Sequence, residues 1–229
     1  MNDMTRPDAI DPPYAYPGYR STSLRAPREE LVRLAGAFDI PGPLVPQGFV
    51  KSGDNDLTIH GKSAPLGEKM VVAGRLLDED GRPIRRSLVE IWQANASGRY
   101  DHPGDQHEAP LDPNFTGIGR TFTDDEGNYR FVTIKPGSYP WQNHKFAWRP
   151  QHVHFSLLGN APVQRLITQM YFPGDPLLPI DPIFNSVPDE QARQRMVSTL
   201  HLETGIEGIA LGYRFDIVLA GAKSTPLGI

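Results

Sequence analysis

Trp148-Arg149-Pro150-Gln151-His152-Val153-His154-Phe155 is the stretch from which the fold can be read. Its last four residues alternate imidazole with apolar side chain. On a strand successive side chains point to opposite faces, so Val153 and Phe155 face a core while His152 and His154 share the other face. The pattern therefore predicts a half-buried strand carrying a bidentate platform for a metal. Ser138-Tyr139-Pro140-Trp141 lies one short loop upstream and brings a phenol near the pair.

Working outward, a largely apolar run at Met70–Leu77 and runs rich in strand formers at Leu88–Gln93, Thr121–Thr123, Tyr129–Ile134, His152–Leu158, Leu166–Phe172 and Ile209–Leu219 read as strands. Asp78-Glu79-Asp80-Gly81 and Asp124-Asp125-Glu126-Gly127 separate some of them and have hairpin chemistry. One helix is expected over Asp189–Thr199, opened by an aspartate after Pro188. Many short strands with little helix predict an all-β fold, an antiparallel β-sandwich or barrel with long loops, over residues 66–229. Residues 1–65 carry Pro12-Pro13, Pro17-Gly18 and Pro41-Gly42-Pro43 but few alternating runs. They read as an extended N-terminal arm that packs on the domain or on another subunit, with a short helix after Pro27 and contacts made by Tyr14, Tyr16 and Tyr19.

The chain has 229 residues, 23 prolines, 22 glycines, a net charge of −4 and no cysteine. The charge leaves no basic footprint for nucleic acid. Without thiols, disulfides, thiolate metal sites and cysteine nucleophiles are excluded. No stretch reaches the roughly 18 apolar residues of a membrane span, and Met1-Asn2-Asp3-Met4 does not open a secretory signal, so a cytoplasmic protein is expected.

Any metal must then be held by His, Tyr, Asp or Glu. Arg149 beside the histidines disfavours imidazolium and so favours the neutral form that metals bind. A glutamate a few positions after the pair, or the His-x-Asp/Glu spacing of the iron(II) facial triad, would indicate a carboxylate site; neither follows His154, although a distant acid remains an alternative. If a tyrosine joins, iron(III) is the matching ion. A phenol with a pKa of about 10 ionises at neutral pH only beside a strong Lewis acid. Two phenolates and a hydroxide would balance the ferric charge and leave the histidines neutral. His144, His102 and His107 lie in polar loops and are expected to face solvent.

At these residues the chain resembles the intradiol ring-cleaving dioxygenases, from about Lys69 to the C-terminus. The anchors are Ser97-Gly98-Arg99-Tyr100-Asp101-His102, Gly137-Ser138-Tyr139-Pro140-Trp141, the Trp148–Phe155 stretch, and Gln169-Met170-Tyr171-Phe172-Pro173-Gly174-Asp175. The resemblance implies iron(III), Fe(3+), held by Tyr100, Tyr139, His152 and His154; from the residues alone, Tyr100 is only one of eight tyrosines. It implies that Tyr139 leaves the metal when a catechol chelates and helps to accept its proton. Arg149 would stabilise negative charge on the substrate, with Gln169 as its partner. Trp141 and Ile183 would wall the pocket, and Tyr16 would reach it from the arm.

The branch most resembled acts with O2 on protocatechuate, giving 3-carboxy-cis,cis-muconate, and shares its site with a homologous alpha subunit. Some relatives place an arginine after the motif tryptophan where this chain has Gln142, which leaves the partner as a candidate source of positive charge for the substrate carboxylate. The alternatives are cleavage of catechol or hydroxyquinol, or a transthyretin-like sandwich that binds without catalysis.

Overall fold

The computed structural model describes residues 10–13, 15–22, 45, 48–143, 145, 148–158 and 165–228. The helix expected after Pro27, Tyr14 and His144 lie outside them. Among the described residues no helix is long and apolar enough to cross a membrane.

Two sheets face each other. In the first, β1 (Lys69–Leu77) pairs antiparallel with β4 (Asn128–Ile134). It also runs parallel with β10 (Leu211–Arg214) and β11 (Ile217–Val218), while β9 (Thr199–Leu200) extends β10 antiparallel. The second sheet is fully antiparallel: β3 (Ile118–Phe122), β2 (Leu88–Trp92), β7 (His152–Leu158) and β8 (Arg165–Tyr171), in that order. The sandwich expected from the alternation thus forms, with parallel pairing along part of the first sheet. Met70, Val72, Leu76 and Phe131 of one sheet meet Val89, Ile91, Val153, Phe155, Leu157 and Met170 of the other in one buried cluster. Burying each such side chain contributes about 1.5–3 kcal/mol. Leu57, upstream of β1, joins this core, its N–H donating to the Val132 carbonyl at 2.8 Å. A smaller cluster gathers Ile10, Tyr171, Phe184, Val187, Ala192 and Met196.

Three local expectations are corrected. The acidic turns share one device. The Asp78 Oδ1 accepts from Asp80 N and Arg82 N, and the Asp124 Oδ1 from Glu126 N and Asn128 N. Yet Asp124–Gly127 closes no hairpin between partners in one sheet: β3 pairs with β2 and β4 with β1, so this turn passes the chain from one sheet to the other. The expected Asp189–Thr199 helix is only α2 (Glu190–Gln194), capped by Asp189, whose side chain accepts from Ala192 N at 2.6 Å. It ends because Met196 O and Ser198 N bond the backbone of Tyr171, pulling the chain against β8. The Ile209–Leu219 run is two strands. Between them the Asp216 side chain accepts from Arg75 N at 2.9 Å, taking a place that a ladder carbonyl would hold. A helix ahead of α2, α1 (Pro182–Ser186), is capped by Asp181.

Candidate metal centre

β7 puts Val153, Phe155 and Leu157 into the core and turns His152 and His154 outward together. Their Nε2 atoms lie 3.2 Å apart. His152 Nδ1 lies 2.7 Å from the Pro150 carbonyl, so it carries the proton and donates there, leaving the Nε2 lone pair for a ligand. Trp92, opposite His154 in the β2–β7 register, stacks flat on that imidazole with centroids 4.7 Å apart.

Tyr139 arrives on a two-residue ribbon, β5 (Tyr139–Pro140) paired with β6 (Trp148–Arg149), in which Tyr139 opposes Arg149. Its hydroxyl is 3.3 Å from His152 Nε2. Tyr100 comes from the loop after β2. Asn95 organises that loop, its Oδ1 accepting from Ser97 N, Ser97 Oγ and Arg99 N at 2.8–3.0 Å. Gly98 has φ +79°, and a Cβ there would stand 2.2 Å from the Ser138 carbonyl oxygen. Only glycine lets the Tyr100 loop lie this close to the strand carrying Tyr139. The Tyr100 ring meets Tyr139 edge-on at 5.4 Å and lies 6.4 Å from His154. Its hydroxyl is buried and makes no hydrogen bond among the described residues. Leaving such a group unsatisfied costs about 1–3 kcal/mol, so a buried orphan beside three other donor atoms suits an absent ligand. Among the described residues no cluster of three or more His, Asp or Glu side chains could hold an ion. Two phenols, Tyr100 and Tyr139, are the oxygen donors that stand beside the imidazole pair.

Burial lifts the Tyr100 hydroxyl well above the usual phenol range, and Tyr139 beside it adds to the shift. Burial also raises Tyr139, opposed by the Arg149 charge. For the imidazoles the signs reverse. Burial, then Arg149, then His154 push His152 far below the ordinary histidine value, and burial with Arg149 brings His154 down to about 3. The unligated donors are thus neutral phenols and neutral imidazoles, and the phenols need a strong Lewis acid to ionise.

Arg149 is 2% exposed. Burial opposes its charge more than any single neighbour favours it, but Asp181, Tyr171 and Tyr139 together outweigh burial and raise its pKa. Its Nε donates to Asp181 Oδ1 at 2.7 Å and its Nη2 to Gln169 Oε1 at 2.5 Å. Gln169, predicted as that partner, is buried and anchored in turn by donating from Nε2 to the Gly228 carbonyl.

A cavity of about 650 Å³ opens over the cluster, lined by Tyr100, Tyr139, His154, Trp92 and Trp141 among others. Trp141 lines this cavity, with the Arg149 guanidinium 5.1 Å from its ring. Tyr16 and Ile183 do not line this cavity. Tyr16 lines a neighbouring space of about 500 Å³ with Asp181 and Asn185, and its ring meets Tyr19, which in turn meets Trp141. Ile183 is buried in α1. His102 faces solvent as expected, but His107 is half-buried on the cavity wall, its Nδ1 3.2 Å from Gly98 O. Sequence reasoning passed over Asp181, Tyr171, Trp92 and Asn95. Tyr171 lay inside a recognised motif, and Asp181-Pro182 is a helix-start signal that says nothing about an arginine 32 residues earlier.

Residues 40–221 match the family model described as Dioxygenase, and residues 4–36 match the one described as Protocatechuate 3,4-dioxygenase beta subunit N terminal. A protocatechuate 3,4-dioxygenase beta chain of Burkholderia cepacia is 54% identical across 94% of this chain and 93% of its own length. A protocatechuate 3,4-dioxygenase alpha chain of Pseudomonas putida is 29% identical across 69% of this chain and 75% of its own. The solved catechol 1,2-dioxygenase of Acinetobacter sp. ADP1 shares the fold, with a TM-score of 0.54 and 25% identity over 75% of this chain and 59% of that one. With four ordered motifs, a sandwich bearing two imidazoles and two phenols, and these matches over most of its length, the chain belongs to the intradiol ring-cleaving dioxygenase family.

Proposed function

We propose that the chain cleaves protocatechuate with O2 between its two hydroxyl-bearing carbons, giving 3-carboxy-cis,cis-muconate, as the iron-bearing subunit of an assembly with a homologous alpha chain. The placing of Tyr139 Oη at 3.3 Å and His154 Nε2 at 3.2 Å from His152 Nε2, beside the orphaned Tyr100 hydroxyl, carries this reading. The 54% identity to a beta chain names the substrate. The donor set fits iron(III), which Tyr100, Tyr139, His152 and His154 would hold. When bound, it supplies a hard Lewis acid that ionises the phenols and activates a chelated diol toward O2.

The protein's share follows from its own groups. Burial, reinforced by Arg149, keeps both imidazoles uncharged, so their lone pairs stay available. With the metal bound, the ionised Tyr139 oxygen, 3.3 Å from His152 Nε2, would be placed to take the proton from a catechol hydroxyl. Arg149 is a fixed cation for negative charge that builds on the substrate, held ready so that nothing has to reorganise. Trp141 walls the ring. Tyr16 backs Trp141 through Tyr19, and Ile183 is buried in the first turn of α1.

No lysine or arginine lines the cavity among the described residues. This supports an alpha chain as the source of positive charge for the substrate carboxylate. The same observation favours, as a second reading, an uncharged diol such as catechol. We infer a cytoplasmic setting in aromatic catabolism. The test is to co-purify the chain with an alpha partner, quantify iron, and follow O2 uptake with protocatechuate, catechol and hydroxyquinol. A reddish, iron-loaded complex that prefers protocatechuate is expected. A colourless, iron-loaded protein, or one that opens no ring, refutes the proposal.

A further inference from the structure

The Arg149 guanidinium is held by a carboxylate that has no access to solvent at all. Asp181 is 0% exposed. Its Oδ1 accepts from Arg149 Nε at 2.7 Å and its Oδ2 from Arg149 Nη2 at 3.3 Å. The Oδ2 also accepts from Phe184 N at 3.1 Å, tying the carboxylate to the first turn of α1. The Tyr171 hydroxyl lies 3.0 Å from Asp181 Oδ2 and 2.8 Å from Gln169 Oε1 and can donate to one of them at a time. Tyr171 faces His152 in the β7–β8 register, with its ring centroid 6.0 Å from the imidazole. The bonds to Asp181, Gln169 and Tyr171 engage Nε and Nη2 of Arg149 and leave Nη1 outside that set.

Helix capping alone does not call for a charge here. Asparagine or serine caps as well as aspartate, and removing a carboxylate from water is costly unless a cation meets it. Asp189 caps α2 from an exposed position. Asp181 is buried because its carboxylate matches the planar fork of the guanidinium, a two-point contact that fixes both position and tilt.

We propose that Asp181 is a positioning residue for ring cleavage, clamping the Arg149 guanidinium in one place and one tilt beside the metal donors. It touches no reacting atom and acts through Arg149. The inference rests on the proposed function for its kinetic consequence, but not for the clamp itself.

The experiment uses the iron-loaded complex with its alpha chain, carrying Asp181→Asn, Asp181→Glu or Tyr171→Phe. Asparagine keeps the size and the cap but loses the charged fork. Misplacing a reacting group by about 1 Å costs about 100-fold in rate. Asp181→Asn should therefore lower kcat on protocatechuate by about that factor with KM changed little, and Asp181→Glu should recover part of the loss. Crystal structures of the variants read the guanidinium directly, and in Asp181→Asn it should be displaced or retilted. Wild-type kcat in a folded, iron-loaded Asp181→Asn complex, or an unmoved guanidinium, overturns the proposal. If Asp181→Asn does not assemble, Tyr171→Phe decides. It removes one hydroxyl from the clamp, so wild-type turnover there counts against the proposal and a several-fold fall in kcat at constant KM supports it. Should the wild-type complex itself open no ring, the function fails, while the crystallographic arm still decides the clamp.

Discussion

Replacing Gly98 by alanine tests whether the loop carrying Tyr100 is held against the strand carrying Tyr139 by the lack of a side chain. Two costs are separable. The residue sits at φ +79°, where an L-residue loses about 1–2 kcal/mol. The new Cβ would also stand 2.2 Å from Ser138 O and 3.2 Å from Tyr139 Cβ. Carbon–oxygen contacts settle at about 3.3 Å or more, so loop and strand must part by about 1 Å. Overpacking of this kind costs about 1–3 kcal/mol. Gly81→Ala is the control: its φ is also +79°, but nothing lies within 4 Å of the added Cβ, so it pays only the backbone cost. In metal-free protein, where binding does not contribute, Gly98→Ala should melt below Gly81→Ala by the overpacking cost. At about 2 kcal/mol that is about 4–8 °C for a domain of this size. Gly98→Ala should also retain less iron and less colour, because the phenols have been moved apart. Equal melting shifts in the two variants, with full colour in Gly98→Ala, would refute the reasoning.

Tyr139→Phe should fold normally, lose much of the visible absorption of the iron-loaded protein, and turn over at least about 100-fold more slowly, the least contributed by a positioned acid or base; visible spectra and steady-state kinetics check it. Acidification should destabilise the metal-free protein. The folded imidazoles of His152 and His154 titrate below the unfolded value, so between about pH 6.5 and the folded pKa (about 3 for His154) only the unfolded chain takes up protons, and stability falls as pH falls. His152 alone gives a limiting slope of about 1.4 kcal/mol per pH unit. Urea midpoints that stay level from pH 7 to pH 5 would contradict this. Asn95→Ala removes three hydrogen bonds to the Tyr100 loop. It should cost about 1–3 kcal/mol, measured by urea unfolding, and weaken iron retention.

What could be read from the chain was whatever depends on neighbours a few residues away. β7 runs over His152–Leu158, the span that its alternation predicts, because one face is core and the other is the site. The imidazole pair follows from the same parity. The Asp124 turn was read correctly as a turn and wrongly as a hairpin: its bonds are local, but the strands it joins choose partners far away in sequence. The helix after Pro188 was overestimated for a similar reason, since backbone bonds to Tyr171 end it early. Within the site, Tyr100 needed the family motif because nothing around it in the chain marks a ligand. Asp181 was invisible as a partner of Arg149, because a buried ion pair spanning 32 residues leaves no local pattern.

The four candidate donors are mounted unequally. His152 and His154 ride a ladder of seven residue pairs between β7 and β8, whereas Tyr139 rides one of two. Shifting an imidazole would mean unzipping the middle of a sheet; swinging the phenol disturbs a short clip at its margin. The scaffold thus divides into a chassis and a latch, and the group expected to give way to an incoming diol is fastened by the weaker part.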